Sequence, residues 1–179
     1  LDWEYTPAKV ISITTHKSHN YLTINKGTRD GIAEDMGVVC YSGVVGIVSA
    51  VSEKYALVVP TIHTEMNLSC RLKKNDYVGR TQWMGKNYQQ VALKDISRHI
   101  SVERGDTVIT SGLTPIFPEG IMVGIVEETS LNISDNYHQT TLQLSTDYRS
   151  IKYVQVIKNR ASQLINNDNS PTQWSGLKK

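Results

Sequence analysis

Apolar side chains recur at every second position over short stretches of the chain, and polar residues, Gly, Asn and Asp separate the stretches. Residues 10–14 and 21–25 show the pattern first, with alternate aliphatic or aromatic side chains, as on one face of a strand. The same period predicts strands at 37–41, 44–51, 56–59, 67–72, 77–83, 89–93, 106–110, 121–128, 140–144 and 153–157. No stretch sustains a helical period, and the best candidate, 28–35, is one turn at most. Many short strands at close spacing predict an all-β sandwich or barrel rather than βαβ units. Between the second and third strands, Asn25, Gly27, Asp30 and Gly31 supply two turn signals, because Gly accepts positive φ and Asp bonds its own backbone.

The run Val45-Gly46-Ile47-Val48 recurs as Val123-Gly124-Ile125-Val126. Each copy follows a Gly-led strand and a Ser-Gly turn, Ser42-Gly43 in the first and Ser111-Gly112 in the second. The second copy carries an extra segment, 113–119, before Gly120. Four common β letters can coincide, but the shared order of strand, turn and Gly-containing strand predicts a duplicated unit. A Gly inside a strand weakens it unless close backbone approach or a sharp bend demands it, and small closed barrels need such bends at their corners. Gly46 and Gly124 are therefore read as architectural, with Ser111, Gly112 and Gly120 as turn residues. The expected architecture is two small β-barrel subdomains, 8–95 and 96–158, with strand exchange between them left open. Beyond 158 the chain turns rich in Asn, Ser and Gln and contains Pro171, so 159–179 is expected as a disordered tail.

With 179 residues the chain is long enough for one medium or two small cored domains. Its 19 Lys+Arg against 17 Asp+Glu leave a net charge of +2, and Lys73-Lys74 and Lys178-Lys179 are only pairs. Nucleic acid is therefore not an expected partner. No apolar run approaches the roughly 18 to 20 residues of a membrane span, and no signal-peptide pattern opens the chain. It starts at Leu1 without Met, as a trimmed or processed chain would, and a span upstream stays open. Cys40 and Cys70 sit in alternating apolar stretches and are expected as buried thiols; a disulfide between them is left open.

The turns and strands together resemble the MreC family. Leu22-Thr23-Ile24-Asn25-Lys26-Gly27-Thr28-Arg29-Asp30-Gly31 resembles its first signature, with Thr28 where Ser is usual. Gly37-Val38-Val39 followed by Gly43-Val44-Val45-Gly46-Ile47-Val48 resembles the next block. Thr110-Ser111-Gly112-Leu113, then Phe117-Pro118-Glu119-Gly120 and Val123-Gly124-Ile125-Val126, is similar to the family's most distinctive stretch. The three blocks cover most of 8–157. The resemblance implies a rod shape-determining, bitopic component of the bacterial inner membrane with its β region in the periplasm or outside the membrane. It implies a dimer through a coiled coil absent here, further self-association into filaments, and binding to a class B penicillin-binding protein. It also implies work alongside MreB, MreD and RodA during peptidoglycan synthesis. Residues 1–7 are then expected as a remnant of the coiled-coil connection.

No catalytic, metal or cofactor site is expected. A double barrel invites comparison with trypsin-like proteases, but Gly105-Asp106 is followed by Thr107 inside an apparent strand, where no oxyanion turn can form. His16, His19, His63, His99 and His138 are scattered; His16 and His19 share a polar hairpin and read as solvated. Arg104-Gly105-Asp106 reads as a charged turn, and Asn67-Leu68-Ser69 and Asn132-Ile133-Ser134 are chance matches to a glycan acceptor. Surfaces remain. Ile116, Phe117 and Pro118 lie on the loop that the first repeat lacks, where Phe117, the chain's only Phe, serves either as a partner anchor or as a plug between the barrels. Tyr77, Trp83, Met84 and Tyr88 surround a Gly85 hairpin and are either a contact face or core. The leading expectation is a non-catalytic protein–protein scaffold. The alternative is a peptidoglycan-binding module using Trp83, Tyr88 and Tyr77 as a platform.

Overall fold

The computed structural model describes residues 2–161. Its twelve strands are β1 (Trp3–Ile13), β2 (Leu22–Ile24), β3 (Gly37–Cys40), β4 (Gly43–Val51), β5 (Ala56–Pro60) and β6 (Ser69–Leu72), then β7 (Val78–Gln82), β8 (Gln90–Lys94), β9 (Thr107–Thr110), β10 (Met122–Ser130), β11 (Gln139–Leu144) and β12 (Tyr153–Asn159). They close two antiparallel barrels of six strands, ordered β1-β12-β3-β4-β5-β2 and β10-β11-β8-β7-β6-β9. The 28–35 connection holds one 3-10 turn, Thr28–Asp30, where Gly27 N–H donates to Asp30 Oδ2 (3.1 Å) and Gly31 takes a φ of 84°. Asn25 Oδ1 accepts the Lys9 N–H (2.8 Å) and so fastens this connection to β1.

The barrels do not part at Asp95. Strands β6 to β8 belong to the second barrel, and β12, expected there, closes the first. The reason is hydrogen bonding. Strands β1 to β5 leave two bare flanks, β1 and β3, and β12 enters between them. It pairs Lys9↔Tyr153 through Trp3↔Asn159 on one side and Val39↔Gln155 through Gly37↔Ile157 on the other. Val154 and Val156 point into the barrel and are buried. Residues 3–7, expected as a coiled-coil remnant, form the first half of β1, because Thr6, Ala8 and Val10 continue the inward alternation. Asn159, expected in the tail, is the last residue of β12. Arg160 and Ala161, expected in the tail as well, are bonded to Asp2 O (2.8 Å) and Asn159 Oδ1 (3.0 Å); the remainder of that expectation, 162–179, lies outside the described residues, as does Leu1.

The repeat seen in the letters is a repeat in register. Gly46 lies opposite Val38 and Gly124 opposite Val108. Val48 exchanges backbone bonds with Asp35 and Met36 (2.9 and 2.9 Å), and Val126 with Gly105 and Asp106 (2.8 and 2.9 Å). Both strands then bulge, at Val48/Ala50 and at Val126/Glu128. The bulges turn the barrel corner, and the neighbouring strand crosses close at each glycine. A methyl at Gly46 would overlap the Val59 carbonyl, and one at Gly124 the Gln143 carbonyl.

One continuous core runs through both barrels, from Leu22, Ile24, Val45 and Val58 to Leu93, Val108, Val126 and Leu142. Each such side chain contributes about 1.5–3 kcal/mol when taken out of water. The chain crosses between barrels at 61–68 and at 145–152, and polar bonds lock both crossings onto β4. Tyr148 Oη donates to Val45 O (2.5 Å) and accepts the Thr61 N–H (3.1 Å), and its bond with Thr61 Oγ1 is 2.7 Å. Thr146 Oγ1 donates to Val44 O (2.8 Å). Burial holds the Tyr148 phenol above its ordinary value, so it stays a neutral donor. Tyr148→Phe strands Thr61 Oγ1 in the dry junction and leaves the Thr61 N–H and Val45 O only their own longer bond (3.3 Å). It is expected to lower the unfolding free energy by about 2 kcal/mol, read as a lower urea midpoint at unchanged slope.

Candidate interaction surfaces

The extra segment of the second repeat is a rigid loop. Thr110 Oγ1 donates to Pro118 O (2.6 Å) and accepts the Ile121 N–H (2.9 Å), while Ser111 Oγ bonds Ser69 Oγ (2.8 Å) and receives the Leu113 N–H (3.2 Å). Gly112 and Gly120 take positive φ at its two ends. Arg71 pairs with Glu119 (2.6 Å) and with Asp76, which fixes the loop base to β6. This rigidity aims Phe117 inward: it is 2% exposed. Its ring lies over Gly37 of the first barrel, where a Cβ would come within 2.6 Å of it. Of the two roles left open for Phe117, burial leaves the plug; Ile116 and Pro118 are half-buried beside it.

The aromatic hairpin divides. Trp83 is 2% exposed, and its Nε1–H donates to Asn87 O (2.8 Å), so it is core and offers no stacking platform. Tyr88 is half-buried, with the Arg149 guanidinium 4.0 Å above its ring. Tyr77 and Met84 are exposed. The loss of Trp83 removes the centre of the glycan platform. Alternation sets Thr81 and Trp83 on one face and Met84 on the other, and the structure shows that the Trp83 face is the inner one.

Two outer faces remain. A groove of about 1000 Å³ on the second barrel is bordered by Met84, Lys94, Asp95, Glu128 and Tyr137, with charges of both signs. On the first barrel a groove of about 370 Å³ runs between Tyr5, Pro7, Tyr41 and Tyr153, with no charged side chain in its lining. Tyr41 is 99% exposed and Tyr153 71%. Sequence reasoning missed this face, because its tyrosines come from β1, β12 and the turn after β3, whose adjacency depends on the long-range closure.

The remaining chemistry is structural. Asp106 accepts the Glu103 N–H (2.8 Å) and pairs with Lys74 (2.7 Å), so Arg104-Gly105-Asp106 is a fastened turn. Cys40 and Cys70 are both free thiols. Burial pushes the Cys70 thiol up to about 12, so it is expected to resist iodoacetamide at pH 8 until the chain unfolds, read by peptide mass spectrometry. His19 meets His63 and not His16: donor atoms of His19, His63 and Glu65 lie within 4.8 Å of one another. The two rings are stacked with planes 7° apart, so their in-plane lone pairs do not converge on one cation.

Two closed antiparallel barrels of six strands, fastened to each other, define an all-β tandem-barrel protein. The chain belongs to the MreC family: the description "Rod shape-determining protein MreC, barrel core" matches residues 10–158. It is 26% identical over 163 residues to the cell shape-determining protein MreC of Listeria monocytogenes, covering 89% of this chain and 55% of that protein. The chain spans about half, or less, of the length of the curated relatives it matches. The crystal structure of MreC from Pseudomonas aeruginosa superposes with a TM-score of 0.79 at 21% identity, covering 86% of this chain and 98% of that one. A chain of the complex between penicillin-binding protein PBP2 and MreC from Helicobacter pylori superposes with a TM-score of 0.68 at 22% identity, over 88% of this chain and 99% of that one.

Proposed function

We propose that this chain is a non-catalytic scaffold of the bacterial cell-elongation machinery that binds a class B penicillin-binding protein and favours its active form. The family match over 10–158 carries the reading, and the Helicobacter pylori complex of a relative supports the class of partner. Its action is selective binding. A surface that prefers one conformer of the synthase shifts the population toward it, by no more than the difference in the two affinities. The protein works on the extracytoplasmic side of the membrane, anchored and dimerised through segments beyond the barrels, and self-associates further. MreD, RodA and MreB are the wider partners. The uncharged tyrosine groove and the exposed side chains of Tyr77 and Met84, at opposite ends of β7, are the surfaces offered for contact.

The test is calorimetric titration of this chain with the ectodomain of a class B penicillin-binding protein from the same cell. Saturable binding at or below high micromolar concentration is expected. Absence of heat and of pull-down at that concentration would sink the reading for the barrels. A saturable Trp fluorescence change with muropeptides, and none with the ectodomain, would point to the glycan module instead.

A further inference from the structure

Two histidine rings clasp the β1–β2 hairpin to the 61–68 crossing. His19 and His63 stack at 4.7 Å between centroids, and their backbones form an isolated antiparallel bridge. Beside them the Thr64 N–H donates to Ser18 O (3.1 Å). Asn20 is buried in the hairpin and donates across to Ile62 O (2.8 Å). Tyr21 meets the His63 ring edge-on at 5.4 Å. His63 is 3% exposed, and its Nδ1 accepts the Glu65 N–H at 3.1 Å. That bond defines the tautomer: a nitrogen that accepts has no proton, so the ring is neutral with its hydrogen on Nε2. Nε2 is itself buried without a partner, so it has nothing to gain from a second charge.

Protonating Nδ1 would turn the acceptor into a donor facing another donor. It would also set a positive charge against the stacked His19 ring. We propose that the His19–His63 pair is an acid-released latch, in which protonation of His63 unstacks the rings and frees the 14–21 hairpin from the crossing that leads into the second barrel. The groups facing His63 are His19 from the hairpin, Tyr21 at the start of β2, Glu65 from the crossing and Asp35 across the adjoining groove of about 470 Å³. His19 opposes the new charge and the Glu65 carboxylate, 3.7 Å from His19 Nε2, favours it. Burial, the largest cause, acts in the same direction as His19, and together they outweigh Glu65 and hold His63 below its ordinary value. Because the closed state binds the proton less readily than the open one, the latch loses stability as pH falls below the free histidine value of about 6.5. One proton allows at most a tenfold rise in the opening equilibrium per pH unit, ending at the closed-state value.

Long-range nitrogen NMR of the 179-residue chain and amide exchange test this together. At pH 7.5 His63 is expected as the Nε2–H tautomer. Between pH 6.5 and 5 the protection factor of the Thr64 amide is expected to fall, by up to about tenfold per pH unit, while that of the Asn25 amide, bonded to Lys9 O, holds. His63→Gln should abolish the difference, and His19→Gln should make the fall smaller and end it at a higher pH, because His63 in the closed latch is then held less far below its ordinary value. An Nδ1–H tautomer, or equal loss of protection at Thr64 and Asn25, overturns the latch; both are read on the unmodified chain even if a variant misfolds.

Discussion

Replacing Phe117 with Ala is expected to lower the unfolding free energy by about 3–4 kcal/mol, the range for emptying a buried aromatic site. The ring lies at the joint between barrels, 2% exposed, with Gly37 beneath it, and the hydrogen-bonded loop base at Thr110 and Ser111 prevents collapse into the space. Gly37→Ala alone presses a methyl to within 2.6 Å of the ring and destabilises as well. The double variant relieves the ring's share of that clash, because the new methyl meets emptied volume there, and leaves only the Ile116 carbonyl at 2.7 Å. Urea unfolding of the four proteins should therefore give a favourable coupling of about 1 kcal/mol or more. Strict additivity would mean that Phe117 does not rest on Gly37.

Gly46→Ala is expected to cost about 3 kcal/mol or more, at the upper end of overpacking, although the change is a single methyl on an extended residue. The obstacle is backbone: the Val59 carbonyl in the adjoining strand occupies the position a Cβ needs, and moving it breaks the β4–β5 ladder. Gly31 is a useful contrast. Nothing lies within 4 Å of a Cβ there, so Gly31→Ala meets only the left-handed φ of 84° and should cost about 1 kcal/mol. A thermal or urea midpoint for Gly46→Ala no lower than that of Gly31→Ala would refute the close-approach explanation.

What the sequence made legible follows from what is local. Most strands announce themselves because period-two alternation is set by their own residues, so the stretch 153–157 was readable as β12 before any partner was known, whereas the first half of β1 was not. The repeated Val-Gly-Ile-Val was readable as architecture because a strand-interior Gly needs a reason. Which strands close which barrel was not legible. The alternation of Val154 and Val156 suits either barrel, and only the flanks left bare by β1 and β3 select one. Surfaces were least legible. Trp83 and Phe117 look like display residues by composition; alternation does not say which side of β7 faces the core, and the burial of Phe117 rests on Gly37, in a segment that periodicity cannot bring to it. The His19–His63 stack was hidden for the same reason, since 44 positions separate residues that a sheet contact makes neighbours.

The return of β12 also dictates an order of assembly during synthesis. The second barrel is built from a continuous stretch, 69–144, and can complete itself as soon as that stretch is available. The first must hold β1 with one flank bare until the final strand arrives, since Lys9 waits for Tyr153 and Trp3 for Asn159. Closing so long a loop is entropically costly and slow relative to local pairing. Of the barrel strands, the earliest made is thus the last to be secured, and a nascent chain carries an adhesive, half-finished sheet from the synthesis of β1 until β12 is made.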